Sequence, residues 1–198
     1  MNPAILMTTK KTIIFTLFSA LIATLPLLAA CESEQQKQAR FEREEQRHIE
    51  QATYNQYINN SLMTGATPYS HLYGNNTPCT GYGCSEISVK TSSNSDVLVT
   101  IKSNGSVVRH AYIRAGDSYA FQMPNGTYQA FFYYGKGWNP EKIMKQTIGE
   151  AIKGGFVANE TFGKDGPQML NNSVLTYQLI LQRNGNFKTQ ASNAAEAF

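Results

Sequence analysis

The sequence predicts a mainly β chain: a single antiparallel β-sandwich of about seven strands with one short helix, preceded by a charged helical tether. Three observations carry this. Over residues 61–198, apolar side chains recur at every second position in successive stretches, the period of half-buried strands. Turn signals, Asn104-Gly105 foremost, separate those stretches. Residues 32–60 are a different material, with ten charges, many Gln and Glu, and no Gly or Pro, which reads as a solvated helix rather than part of a core.

Taken in order, Ile87 and Val89 alternate first, then Val97, Val99 and Ile101. A two-residue turn at Asn104-Gly105 places Ser103 opposite Ser106, hence Ile101 opposite Val108, Val99 opposite His110, and Val97 opposite Tyr112. That face is the apolar one; Leu98, Thr100 and Lys102 against Val107, Arg109 and Ala111 make the wetter one. A second hairpin is expected at Pro124-Asn125-Gly126-Thr127, where a four-residue loop sets Met123 against Tyr128, Phe121 against Ala130 and Tyr119 against Phe132. Asn139-Pro140 looks like the cap and first position of a short helix through about Gln146. The run Gly154-Gly155-Phe156-Val157 reads as an edge strand. Leu175, Tyr177, Leu179 and Leu181 give a further strand, and Asn184-Gly185 a turn toward Phe187.

The pattern Ala115-Gly116-Asp117-Ser118-Tyr119, followed by Met123-Pro124-Asn125-Gly126-Thr127-Tyr128, resembles the turns of transthyretin-like, carboxypeptidase-regulatory-like and PEGA-type sandwich modules. What this resemblance implies is a transthyretin-like sandwich that binds, spaces or stabilises; the motif marks a fold and no active site.

At the other end of the chain, Lys10 and Lys11 precede a mostly apolar run over residues 12–30, and the run ends in small residues. This is the organisation of an export signal, barely long enough to span a bilayer. A start at Met7 would leave a compact leader. Leu28-Ala29-Ala30-Cys31 resembles the lipobox of bacterial lipoproteins of the cell envelope. The resemblance implies cleavage before Cys31, diacylglycerol on its thiol, and an acyl chain such as palmitate on its new amino group. Two or three chains together hold a protein firmly in a membrane. Glu32, where an inner-membrane retention signal would use Asp, leans by the same resemblance toward the outer membrane. The expected organisation is a signal peptide over 1–30, a lipidated N-terminus and tether over 31–60, and the sandwich over 61–198. The tether is helical or flexible; a helix would reach ~40 Å and a flexible coil ~30 Å on average.

Charge excludes some functions. The chain carries +3, of which the two leader lysines supply most, leaving +1 for residues 31–198. Neither a nucleic-acid partner nor polybasic membrane binding is indicated. With Cys31 assigned to lipid, Cys79 and Cys84 remain. Their spacing favours a structural disulfide that presents Tyr82 at the tip of a tight loop, with metal binding or redox chemistry as alternatives.

Residues 131–138 hold Phe131, Phe132, Tyr133, Tyr134 and Trp138. One reading covers this strand on both faces; the other leaves Tyr133 and Trp138 exposed to stack on sugars or anchor a protein. His48, His71 and His110 are scattered, and the eight carboxylates of residues 61–198 are singletons. No catalytic signature, cofactor loop or metal motif is present. The expected function is therefore a lipid-anchored, non-catalytic interaction or structural module at the envelope, touching the membrane through its acyl chains and an envelope protein or glycan through its domain. A glycan- or peptidoglycan-binding lipoprotein is the alternative, and an enzyme with an active site assembled from separate loops the third.

Overall fold

A computed structural model describes residues 33–147, 150–179 and 190–198. The leader and Cys31 lie outside the described residues. The first element is helix α1, Glu34–Tyr57. It opens with a reciprocal cap: the Gln36 amide donates to Ser33 Oγ at 3.3 Å, and the Ser33 amide donates to Gln36 Oε1 at 3.0 Å. No residue of α1 is buried, in keeping with its composition. The chain divides within this helix into two units, one ending at Gln46 and the other running from Arg47 to Phe198.

The second unit is mainly β. Its elements are the end of α1, α2 (Ser70–Tyr73), β1 (Cys84–Lys90), β2 (Asp96–Ser103), β3 (Ser106–Ile113), β4 (Ser118–Pro124), β5 (Gly126–Thr147), β6 (Glu150–Lys164), β7 (Gln168–Leu170), β8 (Val174–Gln178), β9 (Gln190–Ala191) and α3 (Ala194–Ala197). One sheet has the order β4-β1-β8 and the other β3-β2-β5-β6-β9, with β7 attached to the start of β5. Between them lies the first core, in which Ile87, Val89, Val97, Val99, Ile101, Phe121, Met123 and Phe132 are fully buried. These are the alternating positions that the period-two pattern selects. β1 and β8 are parallel neighbours, so the sandwich is not wholly antiparallel.

Four local expectations are corrected. The Asn104-Gly105 turn forms with Ser103 opposite Ser106, yet a bulge between Ile101 and Lys102 shifts the register, so Ile101 meets Arg109, Val99 meets Ala111 and Val97 meets Ile113. His110 and Tyr112 therefore leave the sandwich core for the opposite face. That face is not the wetter one, because Leu98, Thr100, His110 and Tyr112 are all at most 1% exposed.

The Pro124–Thr127 turn does not make a hairpin. β4 pairs with β1, and β5 pairs with β2, so the chain crosses from sheet to sheet at Asn125. Phe121 and Ala130 share one core, each from its own sheet. The Tyr128 hydroxyl donates to Pro124 O at 2.8 Å, the kind of tyrosine-to-upstream-backbone bond that fixes a corner between sheets.

The segment from Asn139 is extended, not helical. The Glu141 amide does donate to Asn139 Oδ1 at 2.9 Å, but this local turn serves an irregularity in the β5–β6 ladder between Asn139 and Ile143. Pro140, which cannot donate to a ladder, sits in that gap. Residues 154–157 are extended as expected, but as part of β6, which stands between β5 and β9 in the sheet order and is not an edge strand. Leu175, Tyr177 and Leu179 pack on the first core; Leu181, Asn184, Gly185 and Phe187 lie outside the described residues.

β5 and β6 form a long hairpin that bends back over the sheet. Gly135 permits this, since a Cβ there would fall 2.3 Å from Phe156 Cβ. Gly137, at φ +72°, holds the bend against the end of α1, where its Cβ would meet the Tyr57 carbonyl at 2.6 Å. A reciprocal pair ties the same place: the Trp138 amide donates to Asn60 O at 2.9 Å and Asn60 Nδ2 donates to Trp138 O at 2.6 Å. Gly135→Ala is expected to lower stability by about 2 kcal/mol through overpacking, read as the urea midpoint. Gly166→Ala, where nothing lies within 4 Å, should change it by less than about 0.5 kcal/mol.

Candidate functional site

The residues singled out in the sequence fall in two separate places in the second unit. The first is the end of the sandwich where β1 begins. Cys79 and Cys84 are joined in a disulfide with Cα atoms 5.8 Å apart. Tyr82, two residues before Cys84, is fully exposed. The loop is held from below by Asn125: its amide donates to Gly83 O at 2.7 Å, and its carboxamide oxygen accepts from Ser85 Oγ at 2.7 Å. The same oxygen accepts the Asn172 amide at 2.8 Å, and its nitrogen donates to Asn171 Oδ1 at 2.9 Å and Asn172 Oδ1 at 3.1 Å. One side chain thus fastens three loops. Sequence reading used Asn125 only as a turn former; the signal it contained was an unusual density of Asn in loops whose partners are far apart in the chain.

The second place is the far face of the β2–β5 sheet, and it corrects the exposed reading of Tyr133 and Trp138. They are 1% and 2% exposed. Both stand in a second core with Leu98, Tyr112, Phe131 and Phe156 from the sheet and its bent hairpin. Tyr69 covers this core from the segment before α2, and Phe198 from the end of α3. The Tyr133 ring stacks on Phe162 at 4.4 Å, and Trp138 meets Tyr112 and Phe156 edge-on at 5.4 Å each. Neither ring offers a free face to a sugar. A groove of about 500 Å³ lies beside them, lined by Leu62, Pro68, His71, Trp138, Pro140 and Lys153 among others; Trp138, at 2% exposure, offers it almost no surface.

Several polar groups in this second core are paired locally. The Tyr133 hydroxyl donates to Glu160 and accepts the Phe156 amide at 2.8 Å; Lys142 completes the set by donating to Glu160 and to Phe156 O. Burial, then the hydrogen bond and charge of Glu160, push the Tyr133 phenol well above its ordinary range. The Tyr69 hydroxyl donates to Gly154 O at 2.6 Å, and burial pushes its phenol up as well. Asp96 accepts from Ser61, Tyr112 and the Ala115 amide. Asp165 accepts from Tyr177 and Gln168. These carboxylates tie segments together, which is a structural use.

His110 is a further buried titratable group. Its backbone is clamped by Asn76, whose carboxamide accepts the His110 amide at 3.2 Å and donates to His110 O at 2.8 Å, so that a side chain stands in for a neighbouring strand. Its Nε2 accepts the Tyr69 amide at 3.1 Å, which requires a neutral ring with the hydrogen on Nδ1. Nδ1 makes no hydrogen bond. Burial lowers the imidazole to about 4, opposed in part by the Thr67 carbonyl and aided by the charge of His71.

Among the described residues no group of three or more His, Cys, Asp or Glu is placed to hold a metal ion, and no helix is long and apolar enough to cross a membrane. The fold and these two places define a disulfide-bearing β-sandwich with a helical N-terminal extension. No protein-family model matches the chain, and no curated protein or solved structure matches it.

Because the folded state keeps His110 neutral while an unfolded histidine protonates near pH 6.5, the unfolded chain binds the extra proton between those values. Stability from this group is fully present above about pH 6.5 and is lost as pH falls toward about 4, by about 3 kcal/mol in all. Urea unfolding at pH 7 and at pH 4.5 should show that loss in the native sequence. His110→Gln, which keeps an acceptor for the Tyr69 amide but does not titrate, should show a correspondingly shallower dependence.

Proposed function

We propose that this chain is a lipid-anchored protein of the bacterial cell envelope, held in the membrane through acyl chains on Cys31, whose sandwich acts by contact and without catalysis. The observation that carries the reading is the Cys79–Cys84 disulfide. Such a bond persists in oxidising compartments, and the leader ending in Leu28-Ala29-Ala30-Cys31 would deliver the chain to one. The exposed helix α1, which buries no residue, suits a spacer between the anchor and the domain. Glu32 favours the outer membrane.

The non-catalytic part rests on how the chemically capable groups are used. Tyr133, Glu160 and Lys142 close on one another, Asp96 and Asp165 join segments, and His110 points into packed rings. Contact through the disulfide loop is favoured over sugar stacking, because Tyr82 is the exposed aromatic of the three candidates, whereas Tyr133 and Trp138 are buried.

Expression of the full chain in a Gram-negative host tests the anchor. Intact-mass analysis of the membrane fraction should give a product beginning at Cys31 that carries diacylglycerol and an amide-linked acyl chain. Cys31→Ser should lose both the added mass and the membrane association. A membrane-free product with an unmodified Cys31 thiol would overturn the proposal.

A further inference from the structure

A cleft of about 390 Å³ opens where four segments of the second unit meet. They are residues 58–61 after α1, residues 93–96 at the start of β2, Arg114 and Ala115 in the turn between β3 and β4, and Lys136 and Gly137 at the β5 bend. The volume is that of a small-molecule site, but such sites are mostly apolar, and here Ile58 is the one large apolar side chain in the lining.

The backbone under this cleft is fixed by hydrogen bonds. Buried Ser95 donates to Gly135 O at 3.1 Å, and Asn60 Nδ2 donates to Trp138 O at 2.6 Å, so the chain is held on either side of Lys136 and Gly137. Arg114 is held at three atoms: its amide donates to Thr64 Oγ1 at 3.1 Å, its Nε donates to Leu62 O at 2.8 Å, and its carbonyl accepts from Thr91 Oγ1 at 2.6 Å. The base of each cation is set before anything binds, which lowers the ordering cost of contact.

The groups left over define what can enter. Among the described residues, the side chains of Lys136, Asn59, Ser93 and Asn94 have no hydrogen-bond or ion-pair partner, and neither have the terminal nitrogens of Arg114. The neighbouring carboxylates are already occupied. Asp96 accepts from Ser61, Tyr112 and the Ala115 amide, and Asp117, in the same turn as Arg114, accepts from Thr64 Oγ1. The carbonyls that end α1 are answered as well, Tyr54 O by the Ile58 amide and Tyr57 O by the Asn60 amide. Two cations without a counter-ion focus a positive potential on the cleft, which selects an anion.

The uncharged walls narrow the ligand further. Carboxamides and hydroxyls both donate and accept, which matches the hydroxyl groups of a sugar and offers nothing to a hydrocarbon chain. No aromatic ring lines the cleft, so it has no platform on which a nucleobase would stack.

We propose that this cleft binds an anionic saccharide, a sugar bearing a carboxylate or a phosphate, with the anionic group on Arg114 and Lys136 and hydroxyl groups on Asn59, Ser93 and Asn94. Such binding uses no stacking ring, in keeping with the burial of Tyr133 and Trp138. It is independent of acylation at Cys31.

The test uses the full chain, purified from whichever cell fraction holds it in a polyoxyethylene detergent, which contributes no sugar. Isothermal titration calorimetry with D-glucuronate and with glucose-6-phosphate should show saturable binding of at least one, and the tighter of the two identifies the anionic group. Glucose and inorganic phosphate should each bind at least roughly tenfold more weakly, because each lacks one half of the ligand chemistry. Lys136→Gln, at an exposed position, should weaken sugar binding roughly tenfold and leave the thermal unfolding midpoint unchanged. Asn94→Ala should weaken it roughly threefold. Lys153→Gln, in the other groove, should leave it unchanged. Absence of saturable binding by both anionic sugars, equal affinity for glucose or for inorganic phosphate, insensitivity to Lys136→Gln or to Asn94→Ala, or an equal loss from Lys153→Gln would each overturn the proposal. Because the readout is affinity for a soluble sugar, its failure is distinguishable from failure of the anchor, which intact mass reports.

Discussion

Phe131, Phe132, Tyr133 and Tyr134 stand consecutively on β5, and alternate side chains of a strand leave on opposite faces. A two-sheet sandwich covers one face of each sheet. Phe132 is absorbed there, packed edge-on against Tyr177 at 5.2 Å. Phe131 and Tyr133 are left on the other side, and that demand explains most of what is irregular in the second unit. The β5–β6 hairpin bends over the face to bring Trp138 and Phe156, the segment before α2 brings Tyr69, and the end of the chain brings Phe198. Each large ring buried is worth on the order of 2–3 kcal/mol relative to exposure, so the covering segments are held by the sheet as much as they protect it.

The covering segments also need polar solutions. Hydrogen bonds run from Thr100 to Ala197 O at 2.9 Å and from Tyr73 to Phe198 O at 3.2 Å. Gly65 donates to Tyr112 O and Tyr112 donates to Ala66 O, both at 2.8 Å, which with Asn76 closes the open edge of β3. Side-chain amides and short backbone pairings thus replace a further strand, and a sheet edge that would otherwise attract other chains is occupied. His110 belongs to the same closure, and its neutral ring is a condition of the Tyr69 bond.

The sequence made the faces legible and left the neighbours obscure. Alternation assigned Ile87, Val99, Phe121 and Phe132 to a core, and the core contains them. It could not say whether Phe121 and Ala130 lie beside each other in one sheet or across from each other in two, because both arrangements give the same period. The Pro-Asn-Gly-Thr turn was ambiguous for a related reason, since Asn125 spends its side chain on Ser85, Asn171 and Asn172, whose proximity is a tertiary fact. Asn139 shows the limit of capping chemistry: the same bond from Asn Oδ1 to the amide two residues on serves a helix start and a ladder irregularity alike. A single bulge beside Asn104-Gly105 was enough to turn His110 and Tyr112 to the other face. For the candidate site, the spacing of Cys79 and Cys84 indicated both the pairing and the exposed Tyr82. The fate of Tyr133 and Trp138 depended on segments about 60 residues away in either direction.

Trp138 is the single tryptophan of the chain, so its fluorescence reports on the second core without ambiguity. Native protein should show blue-shifted emission that acrylamide quenches weakly, with both properties changing together only when the sandwich unfolds in urea. Red-shifted emission readily quenched under native conditions would mean that the far face of β5 is open to water, and would contradict the double burial from which the rest of the fold follows.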